Sequence, residues 1–122
     1  AYARQREVFG RPIGQNQGIA FPLAGARIRL VAAEQVVQRA AWLVDNGLPC
    51  GREANAAKFL CAEAGFFAAD VALQAHGGFG DGKEFHDVRY FPEARLMRIA
   101  PISQEMVLNY VAEHVLGLPR SY

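Results

Sequence analysis

The sequence predicts an all-α protein, an antiparallel up-and-down helix bundle with its first helix truncated. Three observations carry that prediction. Apolar residues recur every three or four positions along two long stretches. Gly and Pro punctuate the chain where those stretches stop. No run of alternating apolar and polar residues marks a strand. At 122 residues the chain has the size of one domain, spanning 1–122. A chain of this size buries roughly two-thirds of its unfolded surface, so it needs neither disulfide nor metal to form a core.

Residues Tyr2 to about Val8 read as the end of a helix, stopped by Phe9-Gly10-Arg11-Pro12. Gly14 to Gln17 is a polar linker. From Gln17 to Asn46 the pattern is strongly helical. Leu23, Leu30, Val37 and Val44 recur every seven residues, interleaved with Ile19, Ala26, Ala33 and Ala40. Such a seam, bulky on one rung and mostly small on the other, predicts packing against neighbouring helices. Asp45-Asn46-Gly47 and Pro49 end it.

A second long helix is predicted from Glu53 to Ala75, with Ala57, Leu60, Ala64, Phe67 and Val71 on its buried face. Gln74 continues that face, and a buried amide needs a partner. Cys61, on the same alanine-rich stretch, reads as a small core residue. Gly77-Gly78-Phe79-Gly80-Asp81-Gly82 cannot be helix interior. Glu84 to Arg89 reads as one short helical turn broken by Phe91-Pro92. Ala94 to Ile99 reads as helix, interrupted at Pro101. Ser103 is the N-cap of a last helix to about Leu116, closed by Gly117-Leu118-Pro119.

Composition removes several classes of function. The chain is 52% apolar and 20% charged, which excludes intrinsic disorder. Lys+Arg is 13 against 12 for Asp+Glu, a net charge of +1, so no nucleic-acid partner is expected. Arginine dominates the cations; only Lys58 and Lys83 are lysines. No apolar run reaches the roughly 18 residues of a membrane span, and no signal-peptide pattern opens the sequence. Two cysteines, Cys50 and Cys61, make no disulfide framework, and the expected location is the cytoplasm. A start without Met, within a helical pattern, predicts a fragment or processed chain.

Few residues announce chemistry on their own. A Gly-Gly-x-Gly turn after a helix either presents backbone N–H groups to an anion or simply joins two helices. It is neither a dinucleotide fingerprint, which follows a strand, nor a P-loop. His76 beside it either caps carbonyls or packs at a helix end. His76, His86 and His114 lack metal-ligand spacing, and no Glu-x-x-His pair occurs, so no metal is expected. Arg4, Arg6 and Arg11 are either a solvated basic helix end or a phosphate-binding group. Glu105 and Glu113 read as surface carboxylates.

The combination is more specific. Arg6-Glu7-Val8-Phe9-Gly10-Arg11-Pro12-Ile13, then Gln17, then Ala57-Lys58, then Ala72-Leu73-Gln74-Ala75-His76-Gly77-Gly78-Phe79-Gly80 resembles the C-terminal domain of acyl-CoA dehydrogenases in order and spacing. The resemblance spans essentially the whole chain. It implies a helix bundle, the last of three domains, with the preceding helical and β domains and the start of the first helix absent. It implies FAD as cofactor, an acyl-CoA thioester as substrate, and a homodimer or tetramer of dimers. An electron-transfer flavoprotein is the implied acceptor.

The resemblance also assigns roles. Arg6 matches the arginine on the FAD diphosphate, a role suited to its fork of donors. Phe9 matches the aromatic packed on the cofactor, and Gln17 the glutamine at the adenosine part. Gln74, Gly77 and Gly78 match the segment that wraps the adenosine end of FAD from the other subunit, which gives Gln74 its partner. Ser103 matches a Thr or Ser near the flavin. Phe79 and Gly80 continue the match as shapers of the turn.

One departure concerns the catalytic base. Many members carry a Glu in a Tyr-Glu-Gly-Thr segment, where this chain reads Ala100-Pro101-Ile102-Ser103. Pro101 cannot take a proton. The preceding Arg-Asp reads Pro92-Glu93, and Glu105, one helical turn on, is no convincing substitute. Some relatives carry the base on the first helix, so the catalytic residue is expected upstream of Ala1. The alternatives are a family member or subunit without dehydrogenase activity, and a non-enzymatic helical interaction domain built on the Ile19–Val44 seam.

Overall fold

The computed structural model describes residues 1–82 and 84–121. Two long helices dominate it. Helix α2 spans Gln17–Asp45 and helix α3 spans Gly51–His76, packed against each other along their length. Ahead of them lie α1 (Tyr2–Gln5), two-residue strands β1 (Glu7–Val8) and β2 (Arg11–Pro12), and a 3-10 turn at Ile13–Gln15. After them come a 3-10 turn at Gly77–Asp81, α4 (Asp87–Leu96) and α5 (Gln104–Tyr110), which runs into a π-helical turn at Val111–Val115.

The front of the chain differs from the expected helix to Val8. Helix α1 stops at Gln5, and an antiparallel ladder pairs Glu7 with Pro12 and Val8 with Arg11. Phe9 and Gly10 form its two-residue loop, with φ of 55° and 73°. Positive φ at both loop residues is the backbone of a type I′ hairpin turn, whose twist matches that of paired strands. Strands of two residues are too short to show alternation in a sequence. The expected polar linker is likewise structured, because Ile13 N–H donates to the Arg6 carbonyl at 2.9 Å and starts the 3-10 turn.

The α2 seam is buried on one rung only. Ala26 and Ala33 are buried, the latter to 3% exposure, while Leu30, Val37 and Val44 are exposed, the last at 61%. The rung of small residues faces α3, whose own Ala57 and Ala64 are buried. Small residues on both helices let the backbones approach closely, which turns the bulky rung away. Leu43 then supplies the large buried side chain near the end of α2. On α3 the expected face is partly buried: Val71 is inside, but Leu60, Cys61 and Gln74 are exposed. Cys61 is therefore no core residue, and Gln74 is not a buried amide.

Helix α4 runs through Phe91-Pro92, where a break was expected. Phe91 packs on Phe66 of α3 with centroids 5.2 Å apart, and tertiary packing holds the helix despite its missing N–H. The helix ends at Leu96, short of the expected Ile99. Ser103 caps α5 as anticipated, its hydroxyl accepting from Met106 N–H at 3.4 Å. No helix among the described residues is long and apolar enough to cross a membrane.

Candidate functional site

The hairpin and the end of α3 enclose a pocket of about 640 Å³. It is lined by Arg6, Phe9, Gln74, Gly77 and Gly78, with Ile13, Ile19 and Phe79 among its apolar walls. Residues from opposite ends of a 70-residue stretch thus meet in one place. None of the lining residues is acidic. An arginine in an acid-free, largely apolar pocket is suited to an anion carried on an apolar or aromatic body.

Each functional group is presented by local structure. The Arg6 guanidinium lies over the Phe79 ring, 5.4 Å from its centroid, which orients the cation without neutralising it. The ring of Phe9 is 100% exposed, on a backbone at φ 55°. A non-glycine residue in this region costs about 1–2 kcal/mol. That strain falls on an aromatic ring that nothing covers among the described residues. Gln74 stands exposed on the last turn of α3. Gly77 follows at φ 61°, a conformation that strains any side chain, and an added Cβ at Gly77 or Gly78 would meet nothing within 4 Å. Gly80 is different: an added Cβ would sit 2.8 Å from the Leu73 carbonyl oxygen, so it shapes the turn.

Gln17 is not among the lining residues, although its neighbours Asn16 and Ile19 are. It is exposed at the first position of α2. Arg11 holds Asn16 in place through a 2.7 Å hydrogen bond from its guanidinium to Asn16 Oδ1. Ser103 also lies outside the pocket, at the N-terminus of α5.

The segment around Pro101 is held by a polar network that the sequence did not reveal. Arg98 donates through Nε to Gln104 Oε1 at 2.6 Å and reaches Glu63 Oε1 through Nη2 at 2.7 Å. Gln104, at 6% exposure, donates back to Glu63 at 2.7 Å. Lys58 Nζ donates to the carbonyls of Met97 and Ala100, the second at 3.5 Å. Lys58 and Glu63 come from α3, so α3 fixes the turn that carries Pro101. Glu105 is exposed, and its carboxyl sits below the ordinary range. A hydrogen bond from its own backbone N–H is the main cause, followed by one from the Ser103 hydroxyl. A carboxylate held ionised in this way is a weak proton acceptor.

Sequence spacing did not expose the pairing of His76 with Asp87 or the stacking of Tyr2 on His76, at 4.3 Å between centroids. No periodic signal joins residues so far apart on irregular segments. His76 does cap the helix end, its Nδ1–H donating to the Ala72 carbonyl at 2.9 Å.

Comparison with known proteins agrees with this architecture. The family model "Acyl-CoA dehydrogenase, C-terminal domain" matches residues 1–116. Acyl-CoA dehydrogenase FadE12 of Mycobacterium tuberculosis is 49% identical over 99% of this chain, which covers 32% of that protein. Butyryl-CoA dehydrogenase from Megasphaera elsdenii superposes with a TM-score of 0.90 at 29% identity, over 94% of this chain and 30% of that one. The FAD complex of PigA superposes at 0.91 with 27% identity, over 96% and 30%. The chain spans about a third of the length of the curated relatives it matches. Family match, hairpin and glycine turn coincide, and the chain belongs to the acyl-CoA dehydrogenase family through its C-terminal helical domain.

Proposed function

We propose that this chain is the C-terminal domain of a FAD-dependent acyl-CoA dehydrogenase of fatty acid metabolism, contributing cofactor and subunit contacts. The observation that carries the reading is the acid-free pocket in which Arg6, Phe9, Gln74, Gly77 and Gly78 converge. These residues fit the cofactor by chemistry. The arginine fork suits the diphosphate, the bare glycine backbone and the Gln74 amide suit the adenosine end, and the exposed Phe9 ring supplies a packing surface. Gln17, at the rim, would reach the adenosine part. Ser103 lies outside this pocket, and we assign it to the flavin end of a cofactor bound between two copies of the chain, in a homodimer or a tetramer of dimers. FAD, when bound, supplies the acceptor for the hydride that leaves the acyl β-carbon as the α-proton is removed.

The protein's own residues position rather than react. Pro101 takes no proton, and the Lys58 and Arg98–Gln104–Glu63 contacts hold its turn in place. Glu105 is ionised, exposed and committed to the α5 N-terminus. The base is therefore assigned upstream of Ala1. An electron-transfer flavoprotein is the proposed acceptor, and the cytoplasm the proposed location, in keeping with the unpaired thiols of Cys50 and Cys61.

The test is the visible absorption spectrum of the complete polypeptide containing this chain, before and after adding a panel of acyl-CoA thioesters. A flavin band bleached by one thioester is the expected result. A protein without a flavin band refutes the cofactor assignment. A band that no thioester bleaches favours the second reading, a family member lacking dehydrogenase chemistry, for which Pro101 is the specific observation.

A further inference from the structure

The last residue of α3 and the first residue of α4 meet in a half-buried histidine–carboxylate contact. His76 Nδ1 lies 2.7 Å from Asp87 Oδ2, with side chains 17% and 11% exposed. The same nitrogen lies 2.9 Å from the Ala72 carbonyl oxygen. One ring nitrogen carries one proton. Asp87 Oδ2 is left buried without a hydrogen bond. The His76 ring nitrogen, 2.7 Å away, is the polar group that faces it, and a buried carboxylate oxygen deprived of that neighbour is costly. The dipole of α4 favours a carboxylate at Asp87, its first residue. Both ring neighbours are aromatic: Tyr2 of α1 at 4.3 Å and Phe85 at 4.8 Å between centroids.

Gly77 and Gly78 follow His76 directly and line the pocket with it. They are exposed and have no side chains with which to anchor themselves. Asp87 lies outside that pocket, on the groove between α3 and α4. It therefore acts through His76. We infer that the His76–Asp87 pair is a positioning clamp that sets the Gly77–Gly78 turn in the conformation receiving the adenosine end of FAD. The inference rests on the flavin reading above and deepens it by naming what holds the turn.

The test is a double-mutant cycle in the complete polypeptide. His76→Phe keeps a ring for Tyr2 and Phe85 but removes the nitrogen that faces Asp87. Asp87→Leu removes the carboxylate, and the double variant removes both. FAD affinity is read by quenching of flavin fluorescence. Hydrogen exchange of the Gly77–Asp81 amides is read in flavin-free protein, with the α2 amides as internal reference. Each single variant is expected to bind FAD about tenfold more weakly, the scale of one lost charged partner. The double variant is expected to bind about as weakly as either single, well short of the product of the two losses, because the two residues act as one unit. Turn amides are expected to exchange faster in all three variants, with α2 unchanged. Singles that bind FAD like wild type, a double that returns to wild type, or a double whose loss is the product of the two, overturn the clamp. So does exchange that accelerates equally in α2, which makes the pair a general stabiliser. Wild-type protein that takes up no FAD overturns the flavin reading and the ligand named here. The exchange comparison then still decides whether the pair holds the turn.

Discussion

Replacing Phe9 by glycine is expected to move stability and cofactor affinity in opposite directions. The ring is fully exposed, so its removal takes no buried contact from the flavin-free protein. The backbone at φ 55° costs phenylalanine about 1–2 kcal/mol, which glycine does not incur. Glycine loses about 0.5–1 kcal/mol more than other residues through chain entropy. The net expectation for the flavin-free protein is a gain of about 0–1.5 kcal/mol. Binding is affected differently. If the cofactor covers about half of a ring that can bury 150–250 Å², the loss is about 2–3 kcal/mol at 25 cal/mol per Å². That is roughly 30- to 150-fold in Kd. Denaturant unfolding of the flavin-free polypeptide and FAD titration of the same preparation measure both numbers. A destabilisation above about 1 kcal/mol would show that the ring packs within the chain, against its observed exposure. Unchanged FAD affinity would refute the assignment of Phe9 to the cofactor.

Three other perturbations test separate parts of the structure. Arg6→Ala is expected to weaken FAD binding by roughly 1.5–3 kcal/mol, the worth of a charged hydrogen bond, with Arg6→Lys recovering only part; isothermal titration measures it. Gln104→Leu leaves Glu63 and Arg98 without their shared amide and is expected to cost about 1–3 kcal/mol of stability in urea unfolding, with FAD affinity little changed. The Glu105 carboxyl is held below its ordinary value of 4.5, so its contribution to stability is present above that value and is lost as pH falls through the folded pKa. Ser103→Ala removes one of the hydrogen bonds responsible, and the Glu105 titration followed by NMR is expected to move upward toward 4.5; an unmoved titration leaves the backbone N–H as sufficient cause.

What the sequence determined by itself was local. Two long helices were legible because a period of three to four residues, repeated over 25 residues or more, needs no partner to be recognised. Their ends were legible from Asn46-Gly47 and from the glycines after His76, whose backbone freedom stops a helix regardless of surroundings. The Ser103 cap depends on one side chain and one N–H three residues away, and was equally visible. The candidate cofactor residues were found through motif order.

Tertiary structure decided what depends on neighbours. Which rung of α2 faces inward was settled by the alanines of α3, which admit Ala26 and Ala33 and leave Val44 outside. Phe66 of α3 provided the packing that carries α4 through Pro92. The hairpin at Phe9-Gly10 hid its strands in two residues each. Assembly of Arg6, Phe9, Gln74 and the glycines into one pocket, and the meeting of His76 with Asp87, join segments that no periodicity links. Periodicity records the angle at which a side chain leaves its own helix; only the packed chain determines what stands opposite.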